Sequence, residues 1–292
     1  MKKIFITGTS GFIGRNLLEE LEKDYTVIAP KHSELDLQNG FQVRSFLAKE
    51  RPDVVIHAAN VNTSRNIDTS DYDSLNGNLQ MFYNLEKCHD LYGKMYYFGS
   101  GAEYDMQNYI PKMKEEFFGK YIPKDSYGFS KYIMSRQTEN AENIYDLRLF
   151  GVYGKYEEWE RRFISNSICR VLYHMPITLY QNVYFDYLWI DDLVKIMKWF
   201  IENKPQYKHY NVCSGKRIDL LSLAEMVREC TQSNFDIIVK KQGYKREYTG
   251  DNSRLLQELG GICLSDYKDT ICSLIAYYQL HITEIDPKKF IC

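Results

Sequence analysis

Tyr127 and Lys131 stand four residues apart in Tyr127-Gly128-Phe129-Ser130-Lys131, a spacing that puts a phenol and an ammonium on one helix face. A tyrosine at its ordinary pKa of about 10 is a poor proton relay at neutral pH. A neighbouring cation favours the phenolate and brings the group toward its working range. In a chain with 25 tyrosines this spacing also arises by chance, so Ser100 matters. It closes the apolar run Met95–Phe98, and side chains just past the carboxyl end of a parallel strand face the ligand crevice. There its hydroxyl can donate to a substrate oxygen.

Such a crevice needs strands and helices in alternation, and the first half of the chain supplies them. Strands are expected at Lys3–Ile6, Thr26–Ala29, Val54–Ala58, Met95–Phe98 and Asp146–Phe150, each short and apolar as in a sheet covered on both faces. Helices are expected at Phe12–Leu21, Phe41–Lys49, Asn78–Leu91 and Tyr127–Asn143. The first strand runs into Gly8-Thr9-Ser10-Gly11-Phe12-Ile13-Gly14, with a helix pattern directly after it. Gly8 permits the turn, Gly11 lets backbone approach a pyrophosphate, and Gly14 lets helix and strand pack closely. The phosphates of a dinucleotide would sit on the free N–H groups of the helix N-terminus.

The fold class that follows is α/β, a Rossmann-type doubly wound parallel sheet with a smaller C-terminal α/β substrate lobe. Residues 1–155 form the dinucleotide-binding domain. Residues 184–203 return to it as a strand at Tyr187–Ile190 and a helix at Asp191–Ile201, leaving 156–183 and 204–292 to the lobe. Lys and Arg number 37 against 39 acids, which gives no field to attract nucleic acid or acidic membranes. No apolar run approaches the ~20 residues of a membrane span. Met1-Lys2-Lys3 leads only into a short strand, so no signal peptide is expected. The seven cysteines are scattered without a C-x-x-C pair, which points to a reduced cytoplasmic protein with no metal site.

These features resemble the extended short-chain dehydrogenase/reductase family, in its nucleotide-sugar epimerase/dehydratase/reductase branch. The resemblance runs through Thr7–Gly14, Arg51–Ala59, Phe98-Gly99-Ser100 with Tyr104, Tyr127 with Lys131, Arg148–Gly154 and Asp186–Leu193. It implies that Asn78, Ser100, Tyr127 and Lys131 form the catalytic set. Tyr127 would exchange the proton of a sugar hydroxyl or ketone, Lys131 would tune it and hold the nicotinamide ribose, and the cofactor would carry hydride. Cofactor contacts are implied for Gly8, Ser10, Gly11, Phe12, Ile13, Gly14, Lys31, Asp36, Leu37, Ala58, Ala59 and Lys131. Arg162 and Arg246, with Ser100, would contact the substrate. Family resemblance also implies a homodimer through the helices carrying Met81, Phe82, Leu85, Ile133 and Met134.

Departures from the family pattern narrow the chemistry. Where its dehydratases resemble Thr-Asp-Glu-x-Tyr, this chain reads Ser100-Gly101-Ala102-Glu103-Tyr104. Both carboxylates are missing, and Glu103 falls one place late and points away. The Cys and His with which related 3,5-epimerases move protons at carbon are absent near Ala102 and Arg162. The second expected strand is followed by Pro30-Lys31-His32, with no acid before Glu34. NAD enzymes place an acid there for the ribose 2′-hydroxyl, whereas Lys31 suits a 2′-phosphate. The expectation is therefore an NADP(H)-dependent reductase of a 4-keto nucleotide sugar. An NAD-dependent 4-epimerase is the alternative, and a non-catalytic NADP-binding regulator is the rival from another class. Phe185 stands where relatives hold the pyrophosphate with an Arg. His57, at a strand end, is read as packing.

Overall fold

The computed structural model describes residues 1–61 and 70–290. In chain order the first half runs β1 (Lys3–Thr7), α1 (Phe12–Leu21), β2 (Thr26–Ile28), α2 (Gly40–Glu50), β3 (Val54–His57), α3 (Asp71–Glu86), β4 (Lys94–Ser100), α4 (Ser126–Thr138) and β5 (Ile144–Leu149). The second half runs β6 (Gly151–Tyr153), α5 (Phe163–Leu172), β7 (Ile177–Asn182), β8 (Tyr184–Phe185), β9 (Tyr187–Trp189), α6 (Ile190–Glu202) and β10 (His209–Val212), then β11 (Ile218–Asp219), α7 (Leu220–Thr231), β12 (Ile237–Tyr244), α8 (Ser253–Leu259) and α9 (Tyr267–Leu280).

The central sheet has six strands in the order β10-β5-β4-β3-β1-β2, every neighbouring pair parallel. Strand order reverses beside β1, which sets the ligand crevice at the carboxyl ends of β1 and β3. Ile4, Ile6, Val54 and Ile56 are buried on one face with α1 and α6; Phe5, Val55, Met95 and Tyr97 are buried on the other with α2 and α3. That double burial explains the unbroken apolar runs of these strands.

Helix α1 occupies the expected residues. Helix α3 starts seven residues before its expected Asn78, because Ser70 and Asp73 form a reciprocal capping box. It stops at Glu86, and a separate 3₁₀ turn covers His89–Leu91. Met81, Phe82, Leu85 and Met134, on which the dimer face rested, are buried in the core, and Ile133 is half-buried. Met81, Phe82, Leu85 and Met134 cover the sheet of their own chain.

The returning segment 184–203 carries α6, whose Leu193, Ile196, Met197 and Phe200 pack into the core of β1 and β3. One boundary needs correction. β10, assigned to the lobe within 204–292, is the sheet's outermost strand, paired with β5 through His209 to Val212. Its four residues follow a polar loop, so no alternation marked it. Leu255 of α8 joins the same core. The lobe proper is built on the β7–β12 pair with α5, α7 and α9 around a second core that includes Ile168, Leu223 and Ile271. Cys230 and Cys272, 42 positions apart, form a disulfide between α7 and α9. This corrects the reading of the cysteines as all reduced: the pairing is made by helix packing, not by local spacing. Cys292 lies outside the described residues.

Arg148 on β5 is completely buried. Its Nε donates to Glu103 Oε2 and to Asp146 Oδ2, both at 2.8 Å. Its other nitrogens donate to the Tyr104 hydroxyl at 3.0 Å and to Ser135 Oγ at 2.9 Å. An Arg148→Met substitution leaves two buried carboxyl groups without their cation. Urea denaturation is expected to show a loss of about 3–5 kcal/mol; a variant as stable as the parent would show that the pairing contributes nothing.

Candidate active site

Three glycines shape the cofactor side of the crevice. Gly8 has φ +73°, and a Cβ there would lie 2.6 Å from the Ala59 nitrogen. A Cβ on Gly14 would collide with the Gly8 carbonyl. Gly11 caps α1 without a side chain, and the first turn of α1 holds no acid. Its leading N–H groups are therefore left to an anion. From this loop opens a cleft of about 980 Å³, lined also by Lys31, His32, Asp36, Leu37, Ala58, Ala59 and Arg162. Ser10, Phe12 and Ile13 line it as well. The cleft fits a dinucleotide: small residues where backbone must come close, and a helix N-terminus for the pyrophosphate.

Ser100 ends β4 and is held from two sides. Its N–H donates to Glu103 Oε1 at 2.8 Å, and the Ala102 N–H donates to its Oγ at 3.2 Å. Asp125 caps α4 by accepting from the Gly128 N–H at 2.7 Å, which sets Tyr127 in the first turn and Lys131 one turn on. The Ser100 hydroxyl is close enough to the Tyr127 phenol to pull it down. Tyr127 is 44% exposed. Desolvation in the crevice nonetheless raises its phenol above the ordinary value, while Ser100 and then Arg162 pull it down.

Lys131 is held by backbone one turn beyond Tyr127. Its Nζ lies 5.8 Å from the Tyr127 ring centroid and donates to the Phe98 carbonyl at 2.9 Å. Burial pulls the ammonium down to about 8, against the opposing pull of Glu103 and Asp146. Ser100 and Arg162 favour the Tyr127 phenolate, and the Lys131 ammonium stands behind its ring.

Asn78 is bonded to the backbone of Val61 through both ends of its amide. Its Oδ1 accepts from the Val61 N–H at 2.8 Å and its Nδ2 donates to the Val61 carbonyl at 3.0 Å. The amide is spent on holding the chain beyond Ala59 beside the cleft. Arg246 is exposed, and its Nη1 donates to the Met106 carbonyl at 3.0 Å, which ties the lobe to the loop after Tyr104. Arg15 stacks on Tyr156 at 3.7 Å and pairs with Glu19 at 3.3 Å.

His57 packs as read. The Ala58 and Ala59 N–H groups both donate to Thr7 Oγ1, which uses its acceptor sites and leaves its proton for His57 Nδ1 at 2.9 Å. Burial, helped by the Lys131 charge, lowers His57 to about 3, so it is neutral at working pH.

Sequence reasoning missed two residues. Glu103 does turn from the crevice, as expected, but inward onto Ser100 and Arg148. Burial and then the neighbouring Asp146 push it well above the usual carboxylate range, against the pull of Arg148. The paired charges Asp146 and Arg148 in an otherwise apolar strand were the available signal. Tyr248 enters the site from the lobe, and no local pattern announced it.

The NAD dependent epimerase/dehydratase family profile matches residues 4–213. The chain belongs to this family and is an NAD(P)-dependent enzyme of the short-chain dehydrogenase/reductase type. GDP-L-fucose synthase of Azorhizobium caulinodans is 43% identical over 61 residues, and that match spans 20% of each protein. ADP-L-glycero-D-manno-heptose-6-epimerase of Brachyspira hyodysenteriae is 27% identical over 79% of this chain and 81% of its own. The GDP-mannoheptose C4 reductase of Campylobacter jejuni, solved with NADP bound, superposes with TM-score 0.81 at 21% identity, covering 95% of this chain and 98% of that one. Among the described residues no helix is long and apolar enough to cross a membrane.

Tyr127→Phe removes the relay hydroxyl and keeps the ring. Turnover is expected to fall roughly 10²–10⁴-fold, the range of a lost general acid, while dinucleotide binding, read by fluorescence titration, is unchanged. Near-normal turnover would remove Tyr127 from the chemistry.

Proposed function

We propose that the protein is an NADP(H)-dependent reductase that converts a 4-keto nucleotide sugar to its 4-hydroxy product. The observation that carries this reading is what stands beside Ser100. Gly101 and Ala102 follow it, so neither residue supplies a carboxylate or thiol to take a proton from carbon. Hydride delivery and one relayed proton remain. The cofactor, when bound, supplies the hydride. Ser100 donates to the ketone oxygen, Tyr127 gives it a proton, and Lys131 holds positive charge behind them. Arg162, at the N-terminus of α5 between the cleft and Tyr127, would face the diphosphate of the substrate. The names of the relatives support a nucleotide-sugar substrate.

NADP is favoured by the end of β2. Lys31 and His32 line the cleft, as do Ser33 and Leu35, whereas Glu34 does not. The Glu34 carboxylate instead accepts from the Lys31 N–H at 2.7 Å. A cation therefore stands where a 2′-phosphate would lie, and the first acid is turned onto backbone. NADPH is expected to bind more tightly than NADH. Lys31→Ala should weaken NADPH roughly tenfold, the loss of one charge-assisted contact, and leave NADH unchanged. Tighter NADH binding in the parent overturns the assignment.

The reaction itself is tested with a GDP-linked 4-keto-6-deoxyhexose in deuterated water. The product read by NMR should hold no carbon-bound solvent deuterium beyond an enzyme-free control. Deuteride from labelled NADPH should appear at C4. Enzyme-dependent solvent deuterium at C3 or C5 would mean enolisation and would remove the reading. Tightly retained oxidised cofactor, with C4 inversion of a 4-hydroxy sugar, would favour the 4-epimerase.

A further inference from the structure

Tyr248 belongs to the lobe, yet its hydroxyl reaches the floor of the crevice. A Cβ built on Gly101 would lie 2.6 Å from the Tyr248 Oη and 2.9 Å from the Phe150 ring. The bare Cα of Gly101 is thus what lets the phenol in. The placement is rigid. The Tyr248 N–H donates to the Tyr184 carbonyl at 2.9 Å, and its carbonyl accepts from the Asp186 N–H at 3.1 Å. Its ring packs against Tyr109, Phe150 and Phe185 at centroid distances of 5.1, 5.2 and 5.6 Å. The Ser100 hydroxyl is close enough to pull down the phenols of both Tyr248 and Tyr127.

We propose that Tyr248 is a positioning residue of the proton relay, donating to Ser100 Oγ so that the Ser100 proton is directed to Tyr127 or to the substrate oxygen. The direction follows from chemistry. Ser100 has one proton for two phenols, and burial pushes the Tyr248 phenol far above its ordinary value, so Tyr248 is the one that keeps its proton and donates. Ser100 Oγ, already accepting from Ala102, then accepts from Tyr248 as well, and its own hydrogen is free to point the other way. A protonated phenol fills the space over Gly101 and cannot serve there as a base toward carbon. The inference rests on the reductase reading only for the substrate used in the kinetic assay, since the relay is defined by the protein alone.

Tyr248→Phe keeps the ring packing and removes one hydroxyl. Protein carrying carbon-13 at the tyrosine ζ carbon gives Tyr127 an NMR resonance, assigned by its disappearance in Tyr127→Phe. Tyr127 also faces Arg162, Glu103, Asp125, Tyr97 and Lys131, all of them retained in the variant. Losing the relay should move the Tyr127 titration about one pH unit higher, the worth of one hydrogen bond. Gly101→Ala, whose methyl displaces the phenol, should move it the same way. In a Ser100→Ala background Tyr248→Phe should shift it no further. With a GDP-linked 4-keto-6-deoxyhexose and NADPH, Tyr248→Phe should lower kcat roughly tenfold and leave KM within about twofold. A Tyr127 titration unchanged in folded Tyr248→Phe overturns the proposal, as does a shift that persists in full without Ser100. A parent inactive on the keto sugar would count against the reductase reading alone, and the NMR titration would still decide the relay.

Discussion

A guanidinium with no exposed surface has to be answered by carboxyl groups, and most of the crevice floor is arranged around that requirement. Arg148 on β5 draws Glu103 from the turn after β4, Asp146 from its own strand, Ser135 from α4 and the Tyr104 hydroxyl. Tyr104 in turn donates to Asn211 on β10 at 2.6 Å. Elements on both sides of β5 are thereby registered against one another. A well-packed apolar substitute for such a cluster can be equally stable. What the charged version adds here is direction: the second oxygen of Glu103 fixes the Ser100 N–H, and Glu103 with Asp146 supports the Lys131 charge. Crowding beside Gly99, where a Cβ would meet both carboxyl groups, shows how little slack the arrangement leaves.

Local physics made the cofactor half of the crevice readable. The glycine spacing, the uncapped α1 and the apolar strands each have one physical explanation, and all of them lie within a few residues of one another. The relay pair was readable for the same reason, because Tyr127 and Lys131 share a helix. Interactions between distant segments were not. The sequence order of Asp146 and Arg148 shows two charges on one strand face, yet their third partner, Glu103, stands 45 positions before Arg148. Tyr248 is farther still from Ser100, and only the lobe's docking brings it there. β10 was missed because a four-residue strand carries too little pattern. Lys131 as the tuner of Tyr127 rests on helical spacing and on the family resemblance; the Phe98 carbonyl that also holds its ammonium lies 33 positions earlier and was legible in neither.

The lobe does more than cover the crevice. Tyr248 reaches the carboxyl end of β4, and Arg246 reaches the loop just beyond it. The Asp186 carboxylate accepts from the Ser214 and Gly215 N–H groups at 2.7 and 2.8 Å, which anchors the segment entering β9 to the chain leaving β10. Burial raises this carboxyl to about 6 despite those donors. Main sheet and lobe are therefore joined through polar contacts at the edge of the site. The second core, around α5, α7 and α9, adjoins them through Tyr267, whose hydroxyl lies 3.1 Å from Ser214 Oγ.

The groups that converge on Ser100 share one property: each is placed to hold or give a proton at an oxygen. Desolvation raises Tyr127 and Tyr248, and His57 is neutral and committed to Thr7. Glu103 is the nearest carboxyl on the chain after Ser100, and both its oxygens are engaged, one by Ser100 N–H and one by Arg148. Breaking a carbon–hydrogen bond beside a ketone requires a group that can accept a proton at neutral pH. Raising a phenol by burial moves it away from that capacity and toward hydrogen-bond donation, which stabilises negative charge as it develops on a carbonyl oxygen. Donors raised in this way suit negative charge developing on oxygen, and around Ser100 the same desolvation keeps the two phenols from acting as bases.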